Sequence, residues 1–191
     1  MLKVGLDMAM NSCGVALYTN KKLRYDSFTI KKNEAVNLTV IERADKMIRW
    51  LDAVIGDKYK IRHELIIEDI FHGKNIKSFK DVSKIQGAFG HHYYMLTGKL
   101  PTFKMAVSAR KDLDIRTRAS KAEVQIYVID RFSLCKIDKE IRSDVNTNLK
   151  LYQAKKLSAS TFKSRMNTLS TKIKKSTGID EHMADAIILT M

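Results

Sequence analysis

Lys3-Val4-Gly5-Leu6-Asp7, Gly14-Val15-Ala16-Leu17-Tyr18-Thr19 and Leu23–Ile30 follow one another with only short polar breaks between them. The first two are short apolar runs. The third mixes aromatic, β-branched and polar residues at roughly period two. Small residues at Asn11-Ser12-Cys13 and the charged turn Asn20-Lys21-Lys22 separate them. Three strands joined by tight turns predict an antiparallel meander at the start of the chain.

The rest of the chain alternates. Residues 34–57 carry Val36, Val40, Ile41, Ala44, Met47, Ile48, Leu51, Val54 and Ile55 at three- and four-residue spacing. That predicts one helix capped by Asn33 or Asn37 and stopped by Gly56. Glu64–Asp69 holds the continuous apolar run Leu65-Ile66-Ile67, as a strand buried on both faces does. A second helix is predicted from Ser78 to Thr97. Its inner face is Phe79, Val82, Ile85, Phe89 and Tyr93, and Gly87 and Gly90 allow close packing. Thr102–Val107 reads as a strand after Pro101. Ser120–Phe132 reads as a helix with Val124, Tyr127, Val128 and Phe132 inward. A last helix starts near Asp180 and carries Met183, Ala184, Ile187 and Ile188.

This order predicts an α/β fold with a mixed central sheet flanked by helices, and it matches the element order of the ribonuclease-H-like fold. The chain has 191 residues, which fits one domain over 1–191. Eight Gly and one Pro exclude collagen-like and Pro-rich classes. The net charge is +14 and the pI about 9.7, which points to a polyanionic partner. Residues 136–175 hold eleven Lys and Arg against three acids and lack Gly and Pro, which predicts one or two basic helices inserted before the last helix. Their size favours phosphate contacts with a steep salt dependence.

Cys13 and Cys135 make neither a disulfide framework nor a zinc site. The N-terminus lacks a signal-peptide pattern, and no window reaches the roughly 18 apolar residues of a membrane span. These features predict a cytoplasmic protein without a membrane partner. His63, His72, His91 and His92 lack partners at ligand spacing, and no P-loop or dinucleotide fingerprint is present.

Acidic residues sit where elements end or begin. Asp7 ends the first strand and Glu68 the buried strand, while His182 and Asp185 share a face of the last helix. Adjacent strands would set Asp7 beside Glu68, and the last helix could bring His182 and Asp185 against them. Clustered carboxylates need cations, and an oxygen-rich set suits Mg²⁺ or Mn²⁺. Beside phosphodiesters, such a set is the usual arrangement for two-metal hydrolysis. Each residue also has a plain structural reading. Asp7 fits a turn, Glu68 a solvated strand end, and His182 a helix start. Asp180 fits an N-cap and Glu181 a first-turn acid favoured by the dipole. Spacing alone leaves catalysis and structure both open.

The motifs resemble the RuvC family of Holliday-junction resolvases. Val4-Gly5-Leu6-Asp7 with Gly14-Val15-Ala16 is similar to that family's first strand, catalytic Asp and returning Gly. Ile67-Glu68-Asp69-Ile70-Phe71, then Asn75, Ser78 and Ile85-Gln86-Gly87-Ala88, resembles its central motif. Ala119-Ser120-Lys121-Ala122-Glu123-Val124 looks like its late basic helix. His182-Met183-Ala184-Asp185-Ala186 resembles its closing signature. Met8-Ala9 and Cys13 depart from the family's small turn and its usual Thr. The long basic segment departs too, and the short phage-encoded members look nearest.

The resemblance implies an Mg²⁺-dependent crossover junction endodeoxyribonuclease. It would be a homodimer, with the 78–97 helix in its interface, that makes paired nicks in branched DNA. Asp7, Glu68, His182 and Asp185 would hold two Mg²⁺ ions per site, with Mn²⁺ able to substitute. Lys121 would stand near the scissile phosphate. Phe71 would stack on an unpaired base, and Asn75 and Ser78 would shape its loop. Lys74, Asn75, Lys77, Arg110, Lys111, Arg116, Arg118 and Lys121 complete the expected DNA contacts. The alternatives are a branched-DNA-binding protein that does not cut and a nuclease of the same fold that acts on RNA-containing substrates.

Overall fold

A computed structural model describes residues 1–56, 63–70 and 76–191. Strands β1 (Leu2–Met8), β2 (Ser12–Thr19) and β3 (Lys22–Thr29) form the expected meander. The β2–β3 hairpin closes on Asn20 and Lys21, both at positive φ. A two-residue loop with that twist suits the twist of the strands it joins. Strand β4 (His63–Asp69) lies parallel to β1, and β5 (Thr102–Met105) lies parallel to β4, so the sheet order is β3-β2-β1-β4-β5. Leu65, Ile66 and Ile67 are buried, as a strand covered on both faces requires.

The single helix expected over 34–57 is two. Helix α1 (Lys32–Ala35) stops before Val36, which is exposed, and α2 (Val40–Ile55) starts afresh. The cap is Thr39, not Asn33 or Asn37: Glu42 N–H donates to the Thr39 hydroxyl, and the Glu42 carboxylate accepts from Thr39 N–H. This reciprocal box fixes the start of α2. Gly56 ends the helix at φ 55°. Thr39→Ala is expected to lower the melting temperature by about 2–4 °C, the size of a lost cap in a chain this long. A thermal melt checks it.

Helix α3 (Ile76–Thr97) buries Ile85, Gln86, Phe89 and Tyr93, while Phe79 and Val82 are only half-buried. Gly87 faces open space, so close packing does not explain it, and a Cβ on Gly90 would only touch Pro101. His92 bonds Asp52 of α2 at 2.9 Å. The strand expected to reach Val107 ends at Met105, because α4 (Ala106–Asp112) begins there. Helix α5 (Lys121–Phe132) points Ala122, Val124, Gln125, Val128 and Ile129 inward; Tyr127 and Phe132 lie at its margin. The basic segment forms two helices, α6 (Lys139–Gln153) and α7 (Ala159–Thr177). Helix α8 (Glu181–Leu189) follows.

Side-chain alternation divides the core in two. Val4, Leu6, Cys13, Val15, Leu65 and Ile67 point to one face, under α2 and α3. Ala16 and Ile66 point to the other, under α4 to α8. Cys13 and Cys135 are free, and burial pushes the Cys13 thiol well above its usual range. Among the described residues, no helix is long and apolar enough to cross a membrane.

Candidate active site

Asp7 lies on the α8 face of β1, paired across the ladder with Gly14 of β2. On the other side, Leu6 pairs with Ile67 of β4, so the next step sets Asp7 beside Glu68. Gln86 of α3 holds the end of β4, where its side-chain amide donates to the Glu68 carbonyl at 2.6 Å. Helix α8 brings the last members. Its N-cap is Asp180, which accepts from Met183 N–H at 2.9 Å and from the Ser27 hydroxyl at 2.9 Å.

Two glycines let α8 lie directly on the sheet. A Cβ on Gly14 would stand 2.3 Å from the His182 carbonyl, and one on Gly5 would stand 2.1 Å from the Ala186 carbonyl. No real side chain tolerates such distances. The returning Gly therefore serves as the floor on which the His182–Asp185 turn rests.

The result is a carboxylate cluster. Asp7, Glu68 and Asp185 offer ligand oxygens that all lie within 4.8 Å of one another. His182 lies behind Asp7 and outside that group of three. Its Nδ1 bonds Asp7 Oδ2 at 2.6 Å, and its Nε2 bonds the Ser12 hydroxyl at 2.9 Å. Both ring nitrogens are thus engaged by protein, and the ring orients the carboxylate in front of it.

Arg110 of α4 is half-buried, and its guanidinium donates to Asp185 at 2.9 Å. Lys121, at the first turn of α5, pairs with Glu181, the first residue of α8. Arg116 pairs with Glu123 at 2.6 Å. Lys77, Lys111 and Arg118 are exposed. Phe71, His72, Lys74 and Asn75 lie outside the described residues. Met8 and Cys13, the departures next to Asp7, are buried in the core, and the turn between them closes with Ala9 N–H on the Ser12 carbonyl at 2.8 Å.

The donor set fits divalent cations. Burial, then the charge of Asp7, pushes Glu68 up to about 10. Burial and Asp7 also raise Asp185, partly offset by Arg110. For His182, burial pulls downward, but the hydrogen bond and charge of Asp7 outweigh it and the net direction is up. The metal-free cluster thus holds protons where a cation would otherwise sit.

Glu68, Asp185 and His182 all bind protons more tightly folded than unfolded, so metal-free stability falls as pH rises from about 5 to 8. The lowered groups, such as Asp130 and Asp180, act at lower pH. The metal-free protein is therefore expected to melt several degrees higher at pH 5.5 than at pH 8, with the gap narrowed by saturating Mg²⁺. Melts in EDTA and in Mg²⁺ at the two pH values check this.

Two curated relatives match the chain. The crossover junction endodeoxyribonuclease RuvC of Helicobacter pylori (strain Shi470) is 26% identical over 125 residues, covering 65% of this chain and 78% of that protein. RuvC of Helicobacter acinonychis (strain Sheeba) is 26% identical over 129 residues, with the same coverage. Among solved structures, Thermus thermophilus RuvC in complex with a Holliday junction substrate superposes with a TM-score of 0.61 at 14% identity, covering 100% of this chain and 90% of that one. The chain is similar to RuvC proteins in both sequence and fold. A second Thermus thermophilus RuvC structure gives a TM-score of 0.53 at 12% identity, covering 93% of this chain and 97% of that one. No family model matches. The central sheet with its flanking helices is the ribonuclease-H-like fold of the RuvC neighbours.

Three features of the site were not readable from the motifs. Ser12 is distant in sequence from His182. Gln86 lies within the central motif, and its sequence neighbours do not show that it holds the Glu68 carbonyl. Arg110 figured only as a DNA contact, whereas the structure sets it on Asp185.

Proposed function

We propose that this RuvC-like protein is an endonuclease that cuts four-way DNA junctions by metal-dependent phosphodiester hydrolysis. The observation that carries the reading is the cluster of buried Asp7 with half-buried Glu68 and Asp185, built on the α8 face of a RuvC-like sheet. Asp7, Glu68 and Asp185 would hold two Mg²⁺ ions, with Mn²⁺ as a substitute. When bound, such ions activate the attacking water and stabilise the leaving 3′ oxygen.

The chain's own groups do the rest. Arg110 supplies positive charge beside the carboxylates, and Lys121, paired with Glu181 at the start of α8, would supply it to the phosphate, where charge develops. His182, held by Asp7 and Ser12, keeps the Asp7 carboxylate oriented and can take a proton. Phe71, three residues after Glu68 in sequence, would stack on an unpaired base, with Lys74, Asn75 and Lys77 as further DNA contacts. The expected homodimer puts two sites across one junction, so paired nicks follow from its two-fold symmetry. The exposed Tyr94, Met95 and Leu96 at the end of α3 support an interface there. The departures at Met8-Ala9 and Cys13, with the long basic segment, support a place near the short phage-encoded members, acting in a bacterial cytoplasm.

The test is a substrate panel in Mg²⁺: a labelled four-way DNA junction, a linear duplex and an RNA–DNA hybrid. The reading expects symmetric, ligatable nicks in the junction well above the other two. Equal cutting of the hybrid would favour the nuclease that acts on RNA-containing substrates. Tight junction binding without any cut would favour a binding module.

A further inference from the structure

Helices α6 and α7 do more than add charge. They form one wall of a cleft of about 570 Å³ whose other wall is the α4–α5 connection and the start of α5. Five cations line it: Arg110, Arg116, Arg118, Lys121 and Lys163. Among the described residues, no acid does. Arg118 and Lys163 are exposed and make no ion pair with any described residue, so their charge is open to a ligand. The base is firm. Phe162 and Met166 are buried, and Tyr152 stacks on Phe162 with ring centroids 4.3 Å apart.

The cleft also has a direction. Arg110 lines it and pairs with Asp185, and Lys121 lines it and pairs with Glu181, next to His182. A polyanion lying in it would run into the carboxylate cluster.

We propose that this cleft is a binding site for the sugar–phosphate backbone of the DNA strand next to the scissile phosphate, with Arg118 from one wall and Lys163 from the other as its phosphate ligands. Asn167, one turn after Lys163 on the same wall, adds a neutral donor. The assignment rests on the junction-cutting reading. It gives the basic segment a specific role, which is to close the track that delivers one strand to the site. A backbone ligand fits better than a base, because cations line both walls and each phosphate brings one charge.

The test is junction binding measured against salt, in EDTA so that nothing is cut. Each neutralised phosphate contributes about 0.9 to the slope of log affinity on log salt. Arg118→Ala and Lys163→Ala are each expected to reduce that slope by about one, the double variant by about two, and Lys163→Arg to retain it. Melting temperatures should stay within about 1–2 °C of wild type, since both side chains are exposed. Unchanged slopes in variants of a protein that binds and cuts junctions would overturn this site alone. A wild-type protein that neither binds nor cuts junctions would instead overturn the function. Lost affinity with an unchanged slope would mean a base in the cleft and would also overturn the proposal. So would an equal effect from Lys172→Ala, on the same helix but away from the cleft.

Discussion

Glu68→Gln is expected to abolish junction cutting while leaving junction binding within about threefold of wild type. Glu68 stands in the cluster with Asp7 and Asp185, their oxygens within 4.8 Å and so close enough to share a cation. An amide keeps the shape and loses the charge, so the cation loses a ligand. The fall in single-turnover rate is expected to be on the order of 10³-fold or more, at least that of losing one electrostatic contact to developing charge. Binding survives because affinity for DNA comes mainly from Lys and Arg contacts to phosphates. Asp7→Asn should behave alike. In the metal-free protein Glu68→Gln carries a second signature. It removes one of the three groups that favour low pH, so the melting temperature should depend less on pH than in wild type. Parallel loss of binding and cutting would contradict this division of labour.

Gly14→Ala is expected to cost both stability and cutting rate. Its Cβ would meet the backbone of His182 and Met183 at 2.3–2.6 Å, with no flexible side chain to give way. The helix must lift. Overpacking of this kind costs roughly 1–3 kcal/mol, or about 2–12 °C of melting temperature for a chain this size. The kinetic effect goes beyond the loss of stability. Lifting α8 moves Asp185 away from Asp7 and Glu68, and about 1 Å of misplacement can reduce a rate by about 10²-fold. Cutting measured well below the melting temperature should therefore fall by about that factor in protein that is still folded. A control is already in the chain: Gly87 faces open space, so Gly87→Ala has no such clash and should leave the melt unchanged or slightly raised, since Ala favours helix over Gly.

The two glycines show what a sequence discloses and what it leaves hidden. Gly5 and Gly14 stand out within the first motif, but the reason for them lies in the last helix, some 170 residues later. The strands were legible because period-two alternation and tight turns are local signals. The run Leu65-Ile66-Ile67 marked a strand covered on both faces, but not its partner; its parallel pairing with β1 sets Asp7 beside Glu68, as adjacent strands would. The break between α1 and α2 was missed, although Thr39 and Glu42 spell a capping box, because Val36 continues the apolar period and looks like core. The true end of β5 was missed because Ala106 and Val107 suit either structure. At the site, carboxylates at element ends were readable one by one. The contacts that orient them were not: Ser12 on His182, Arg110 on Asp185 and Gln86 on the Glu68 carbonyl join residues far apart in the chain. Such contacts depend on how helices pack, and residue spacing carries no record of that.

The proposal that acids hold cations and bases hold phosphates rests on one claim: the cluster of Asp7, Glu68 and Asp185 is a divalent-metal centre that cuts branched DNA. Its most direct test is the cleavage rate of a labelled four-way junction across a Mg²⁺ titration that starts in EDTA. The account predicts no nicks in EDTA, then symmetric nicks that appear and saturate as Mg²⁺ rises. Cutting in EDTA at the rate seen in Mg²⁺, or none at any Mg²⁺ or Mn²⁺ concentration by protein that still binds the junction, would contradict it.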